Sequence, residues 1–274
     1  MPILIILLLA FVQSVTEFLP VSSSGHLVLI ESLLDLNTSN LSLNVFLHFA
    51  TLLSVVVVFH NELRAMIFSL WNVIHRKNFK EAWEKDGNFR IVILIGIATV
   101  PTGIIGLFFH DLFSKFFHDP VWTSIFLMVT GLFLWFSNDR KQQPTMDILE
   151  MSVGMALILG LVQGVAILPG ISRSGITIVA ALGLGLHRSL AARFSFLMSI
   201  PAILGATLFE WREIEFGHWG AKNLFLGLLL AFIVGILAIH LVIKTVEKGR
   251  FQIFSYYVFP LGLFSLGYFI LNHS

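Results

Sequence analysis

Two stretches decide the fold: Gln13-Ser-Val-Thr-Glu17-Phe-Leu-Pro20-Val-Ser-Ser-Ser-Gly25-His26 and Gln163-Gly-Val-Ala-Ile-Leu-Pro169-Gly-Ile-Ser-Arg173-Ser-Gly175. Each interrupts an otherwise apolar region, residues 2–34 and 151–186. Proline and glycine break a helix, and a charged side chain at membrane depth is expensive. The apolar arms on either side are roughly 8–18 residues long, against the ~20 that a helical span needs. Two full spans do not fit in either region. A re-entrant helix–loop–helix does.

The two breaks also resemble each other. Both carry Val-Gln, then Leu-Pro, then a serine-containing run that ends in Ser-Gly. Gln13 to Gly25 and Gln163 to Gly175 are both steps of twelve residues, so the chain reads as an internal repeat offset by 150. The half-repeats are expected at about 1–138 and about 150–274, within one membrane domain.

Composition agrees with a bilayer environment. Of the 274 residues, 57% are hydrophobic and only 12% charged, where a soluble chain carries about 25% charged residues. Mean hydropathy is +0.89. Net charge is +1 and cysteine is absent. A disordered chain, a nucleic-acid-binding domain, a disulfide scaffold and thiolate chemistry are excluded. Residues 3–12 are apolar, but no Lys or Arg precedes them and no small-residue cleavage site follows. They are expected to stay in the chain and enter the bilayer rather than serve as a signal peptide.

Six stretches can span: about 41–60, 91–109, 120–137, 190–209, 224–243 and 253–271. The polar connection 61–90 holds amphipathic pieces suited to the interface. If both breaks are re-entrant, connections 61–90, 139–149, 187–193 and 244–250 share one side and carry 13 of the 17 Lys and Arg, against three on the other. If the second break crossed once, the split would fall to 10 against 6. The positive-inside rule favours the first arrangement and puts both termini outside. The expected fold is an all-α integral membrane protein of six transmembrane helices plus two re-entrant elements in an inverted-topology repeat, with the breaks meeting near the midplane.

Each break starts a new half-helix, at about Ser24-Gly25 and Ser174-Gly175. Helix N-termini carry free N–H groups and partial positive charge. Two of them convergent with Arg173 make an anion site, and phosphate suits the guanidinium fork. Ser22, Ser24, Gly25, Ser174 and Gly175 are the residues expected to line it. Gln13 and Glu17, spaced i,i+4, share a helix face, and their oxygens suit a hard cation such as Mg²⁺ or Ca²⁺. Ser23 beside His26 offers a nucleophile and a base. Together these suggest phosphoryl transfer. Each serine also suits a helix cap, Glu17 an ion pair with Arg173, Gln163 the freed backbone, and His48 a helix–helix hydrogen bond.

At these residues the sequence resembles the BacA-type undecaprenyl-diphosphatases. Glu17 to His26 and Pro169 to Gly175 are similar to that family's two signature motifs. Ala98-Thr-Val-Pro-Thr-Gly-Ile-Ile-Gly-Leu107 and Ala192-Arg-Phe-Ser-Phe-Leu-Met-Ser-Ile-Pro201 also resemble family segments. The resemblance implies removal of the terminal phosphate of undecaprenyl pyrophosphate in the bacterial plasma membrane, recycling the carrier for cell-wall synthesis and conferring bacitracin resistance. It also implies a divalent cation and a site facing outward. Glu17, Ser23, His26 and Arg173 match the family's catalytic positions. Gln13 stands where many members have Glu, leaving one carboxylate for a metal instead of two. Ser172, Ser174 and Thr177 match positions of the second loop. The resemblance leaves serine or water as attacking group, and His26 or Glu17 as the group that moves the proton. Expected partners are the prenyl pyrophosphate, membrane lipids and a second copy of the chain. The competing class is a lipid-carrier or anion transporter, since inverted repeats with broken helices are transporter architecture. A structural partner in a cell-wall complex is a third reading.

Overall fold

The computed structural model describes residues 3–34, 41–117, 119–137, 144–210 and 220–272, and the described residues are helical apart from short turns and connections. Arg140, Lys141 and Arg212 of the charge count lie outside them. The first broken element is α1 (Ile3–Phe18) and α2 (Ser23–Leu33); the second is α9 (Val153–Val165) and α10 (Arg173–Gly183). The six expected spans appear as α3 (Leu41–Val58), α6 (Gly87–Phe108), α8 (Pro120–Phe136), α11 (Arg188–Glu210), α12 (Ala221–Glu247) and α13 (Ser255–Asn272). By length and composition α6, α11, α12 and α13 with its preceding turn can each cross a bilayer. α3 bends by 75° into α4 (His60–Arg76). α4 and the short α5 (Phe79–Lys85) form the amphipathic connection, and α7 (His110–Phe117) precedes α8. Ile67, Phe68, Trp71 and Ile74 make an exposed apolar face on α4, as an interfacial helix requires.

One contact decides that the second break is re-entrant. Met146, before α9, pairs with Leu186, after α10. Met146 N–H donates to Gly185 O at 3.0 Å and His187 N–H to Met146 O at 3.1 Å. The chain therefore leaves this element at the end where it came in. The neighbouring connections gather there too. Arg90 Nη2 donates to Met151 O at 2.9 Å, and Gly249 lies against the Arg188 guanidinium. The described parts of the four basic connections grouped by charge thus share one end of the molecule.

The halves exchange partners. α1 lies along α12, and its counterpart α9 lies along α6, the equivalent span of the other half. α3 packs on α12 and α11 on α6, while α3 meets α11 and α8 meets α13, like with like. A pseudo-two-fold axis gives this pattern. Small residues permit the close approaches: Gly160 of α9 sits on the α6 backbone at Ala98, Gly227 of α12 on Ile6, and Gly131 of α8 on Phe259.

At the centre the two breaks touch. Gly25 faces the Gly170 backbone, and Gly175 faces Pro20. Ser22 Oγ accepts from Gly25 N–H at 3.2 Å and from Gly170 N–H at 3.1 Å. Gly170 has φ +98°, and a Cβ there would meet the Thr123 carbonyl oxygen and, at 2.8 Å, Phe126. Left-handed backbone alone costs a side chain ~1–2 kcal/mol, and overpacking adds ~1–3. Gly170→Ala is therefore expected to lower the melting temperature in detergent markedly. Gly205→Ala, on an open face of α11, is expected to hold or raise it. Equal melting of the two variants would remove Gly170 from this role.

Candidate active site

The half-helices begin one residue earlier than expected. Ser22 and Ser172 are the N-caps, accepting from Gly25 N–H and Gly175 N–H respectively. Capping satisfies orphan donors and fixes where each terminus points. The first helical residues are Ser23 and Arg173, which are 150 apart and so occupy the same place in the two repeats.

Both reach one carboxylate. Arg173 Nη2 donates to Glu17 Oε1 at 2.5 Å, and Ser23 Oγ to Glu17 Oε2 at 2.6 Å. Gln13 Nε2 donates to Oε2 at 3.1 Å, one helical turn away. His48 Nε2 approaches the same oxygen at 3.5 Å. Glu17 is buried, with side-chain exposure of 5%, while Arg173 retains 15%. A carboxylate this buried is sustained only by such partners. The pairing of Glu17 with Arg173 is present, and it lies inside the candidate site rather than apart from it.

The remaining expected residues cluster here with definite partners. Ser22 Oγ lies 3.3 Å from Ser24 Oγ, and Ser172 Oγ 3.4 Å from Ser174 Oγ. Ser174 Oγ donates to Leu19 O at 3.4 Å, tying the second break to the first. Thr177 Oγ1 donates to Arg173 O at 2.7 Å and lies 2.5 Å from Ser195 Oγ of α11. Ser22 holds φ +68°, a region unusual for a residue with a side chain. Its two accepted N–H bonds keep it there.

His26 does not face Ser23. Its Nδ1 lies 2.8 Å from Ser22 O and its Nε2 2.8 Å from Tyr257 Oη. The group in contact with Ser23 is Glu17. Adjacency in sequence suggested histidine as the base, but the bond to its own turn directs the ring toward α13.

Two contributors, Thr130 and Tyr257, escaped the sequence reading, and a third, His48, was read only as a helix–helix hydrogen bond. Thr130 of α8 holds the second break at two points, donating to Gly170 O at 2.8 Å and accepting from Ser172 N–H at 3.0 Å. His48 reaches Glu17 instead of only bridging helices; its i,i+4 spacing from Asn44 marked a polar face but not its target. Tyr257 carried no signal. Gln163, the counterpart of Gln13, donates to Thr102 Oγ1 at 3.3 Å and takes no part in the site.

Among the described residues no group of three or more His, Cys, Asp or Glu is placed to hold a metal. The donors at hand are the Glu17 carboxylate and Gln13 Oε1, a buried oxygen with no hydrogen-bond partner. One carboxylate and one unpartnered amide oxygen do not make an all-protein cage. They do fit a hard cation that keeps waters and shares substrate phosphate oxygens.

Comparison with known proteins bears on the same residues. A family model described as bacitracin resistance protein BacA matches residues 6–264. A protein of Desulforapulum autotrophicum named undecaprenyl-diphosphatase is 42% identical over 264 residues, covering 94% of this chain and 95% of its own. One of Alkaliphilus metalliredigens with the same name is 42% identical over 274 residues, covering 95% and 98%. Another, of Desulfosudis oleivorans, is 43% identical over 258 residues, covering 93% and 94%. Matched along nearly its whole length, with its two broken helices meeting at a buried carboxylate, this multi-pass membrane protein belongs to the BacA family.

Proposed function

We propose that the chain hydrolyses undecaprenyl pyrophosphate to undecaprenyl phosphate and inorganic phosphate, recycling the lipid carrier and thereby conferring bacitracin resistance. The relatives' names supply the substrate. The observation that carries the chemistry is the meeting of Ser23 and Arg173 on Glu17.

The terminal phosphate is read as seated between the two half-helix N-termini, held by Arg173 and by backbone N–H groups. Ser22, Ser24, Gly25, Ser172, Ser174, Gly175 and Thr177 line this seat. Glu17 takes the proton of Ser23 Oγ, whose oxygen attacks phosphorus. The P–O bond to the bridging oxygen breaks and undecaprenyl phosphate leaves. Water then cleaves the phosphoserine and inorganic phosphate departs. Without substrate, Glu17 is paired with Arg173 and is a poor base. An arriving pyrophosphate competes for the guanidinium and frees the carboxylate. Substrate binding thereby activates the base. A divalent cation held by Glu17 and Gln13 would offset pyrophosphate charge. His26, turned away from Ser23, is read as acting on the substrate rather than on the nucleophile.

The charge distribution supports placing the basic end in the cytoplasm, with both termini and the site's opening outside. Membrane lipids and a second copy of the chain are further partners that this reading carries.

The test is phosphate release from undecaprenyl pyrophosphate by purified protein in detergent. EDTA is expected to stop it and added Mg²⁺ or Ca²⁺ to restore it. Ser23→Ala is expected to lower kcat at least ~10²-fold, the low end of what positioned proton transfer contributes. A folded protein that binds the lipid but releases no phosphate would support the transporter reading, to which the inverted repeat is equally suited.

A further inference from the structure

His26 is bonded at both ring nitrogens. The Ser22 carbonyl oxygen, 2.8 Å from Nδ1, can only accept, so Nδ1 carries a hydrogen. Nε2 is then the nitrogen that can gain or lose a proton. It lies 2.8 Å from the hydroxyl of Tyr257, 231 residues away. The two rings also stack, with centroids 5.7 Å apart and planes inclined by 17°. Tyr257 lies on α13 and His26 on α2, so the last helix of the second half reaches the restarted half-helix of the first.

A hydroxyl both donates and accepts at one atom. Tyr257 can donate to Nε2 of a neutral ring and accept from an imidazolium, with only its hydrogen rotating. We propose that Tyr257 is a positioning residue for His26, holding Nε2 in place in either protonation state and fixing the ring between the start of α2 and α13. The proposal rests on the phosphatase reading above. It adds a residue outside both signature motifs, contributed by the opposite end of the chain.

The experiment compares Tyr257→Phe with wild type. Tyr257 is 52% exposed, so loss of one hydroxyl leaves the core intact, and the phenyl ring preserves the stack. The kcat is expected to fall about 10-fold, part of what a positioned acid or base contributes, with KM within about twofold. In ¹⁵N-histidine-labelled protein, the His26 Nε2 signal should shift as its hydrogen-bond partner is lost, while Nδ1, held by Ser22 O, stays protonated. In a His26→Ala background, Tyr257→Phe is expected to cost nothing further. Tyr256→Phe, whose ring packs edge-on against Trp135, is the control and should match wild type. Unchanged kcat and unchanged ¹⁵N signals in Tyr257→Phe would overturn the proposal. So would an equal loss in the His26→Ala background, because the tyrosine would then act without the histidine. If wild type releases no phosphate, the phosphatase reading fails by itself. The Nε2 signal still decides whether Tyr257 holds the ring.

Discussion

Arg173→Ala is expected to lower phosphate release by at least ~10³-fold, the lower bound for an arginine that stabilises a phosphoryl-transfer transition state. Arg173 Nη2 is held by Glu17, and the guanidinium stands at the first position of α10 between two N-caps. Electrostatic stabilisation by groups already in place costs no reorganisation when charge develops. Arg173→Lys is expected to recover little, because an ammonium lacks the planar fork that binds two phosphate oxygens at once. The alanine change has a second effect. It strands Glu17, buried and charged, and breaking a buried pair by removing one partner costs ~3–5 kcal/mol. Melting in detergent separates the two effects. Adding Glu17→Gln to Arg173→Ala should restore melting while leaving activity lost. Near-normal turnover in the single variant would remove Arg173 from catalysis.

Glu17→Gln is the second large effect, a loss of ~10²–10⁴-fold in kcat with a much smaller change in KM. The amide oxygen can still accept from Ser23 Oγ, now 2.6 Å from the carboxylate, so the nucleophile keeps its place and loses its base. The double bookkeeping of Glu17, as base and as the sole carboxylate beside Gln13, predicts a further sign. Cation dependence of the residual activity should weaken along with turnover. A variant that retains both full turnover and wild-type cation response would contradict the assigned base.

How much of this was legible depended on distance along the chain. The re-entrant elements were readable because Pro20, Pro169 and the serines interrupt apolar arms too short to cross. The side of each connection was readable from Lys and Arg, and the Met146–Leu186 pairing agrees with it. The meeting of Arg173 with the two serine runs was readable because they stand where helices restart. The contact partner of Ser23 was masked by adjacency. His26 follows within one turn, yet its ring is drawn to Ser22 O and across to α13, while Glu17 comes back from the end of α1. Thr130 and Tyr257 were invisible because their roles exist only through contacts with the breaks, 40 or more residues away in Thr130's case and 231 in Tyr257's. The exchange of α1 and α9 between halves was equally hidden, since periodicity marks an apolar face without naming its partner.

That exchange constrains how such a molecule could be cut or copied. Each half lays the first arm of its broken helix, α1 or α9, along a span of the other half, so separately expressed halves should be unstable alone and recover together. A single-repeat ancestor would have worked only as an antiparallel pair, with identical residues at both half-helix starts. Joining two copies in one polypeptide lifts that restriction. The starting position is serine in one half and arginine in the other, so one carboxylate faces a hydroxyl and a guanidinium at once, a division of labour closed to any pair of identical chains.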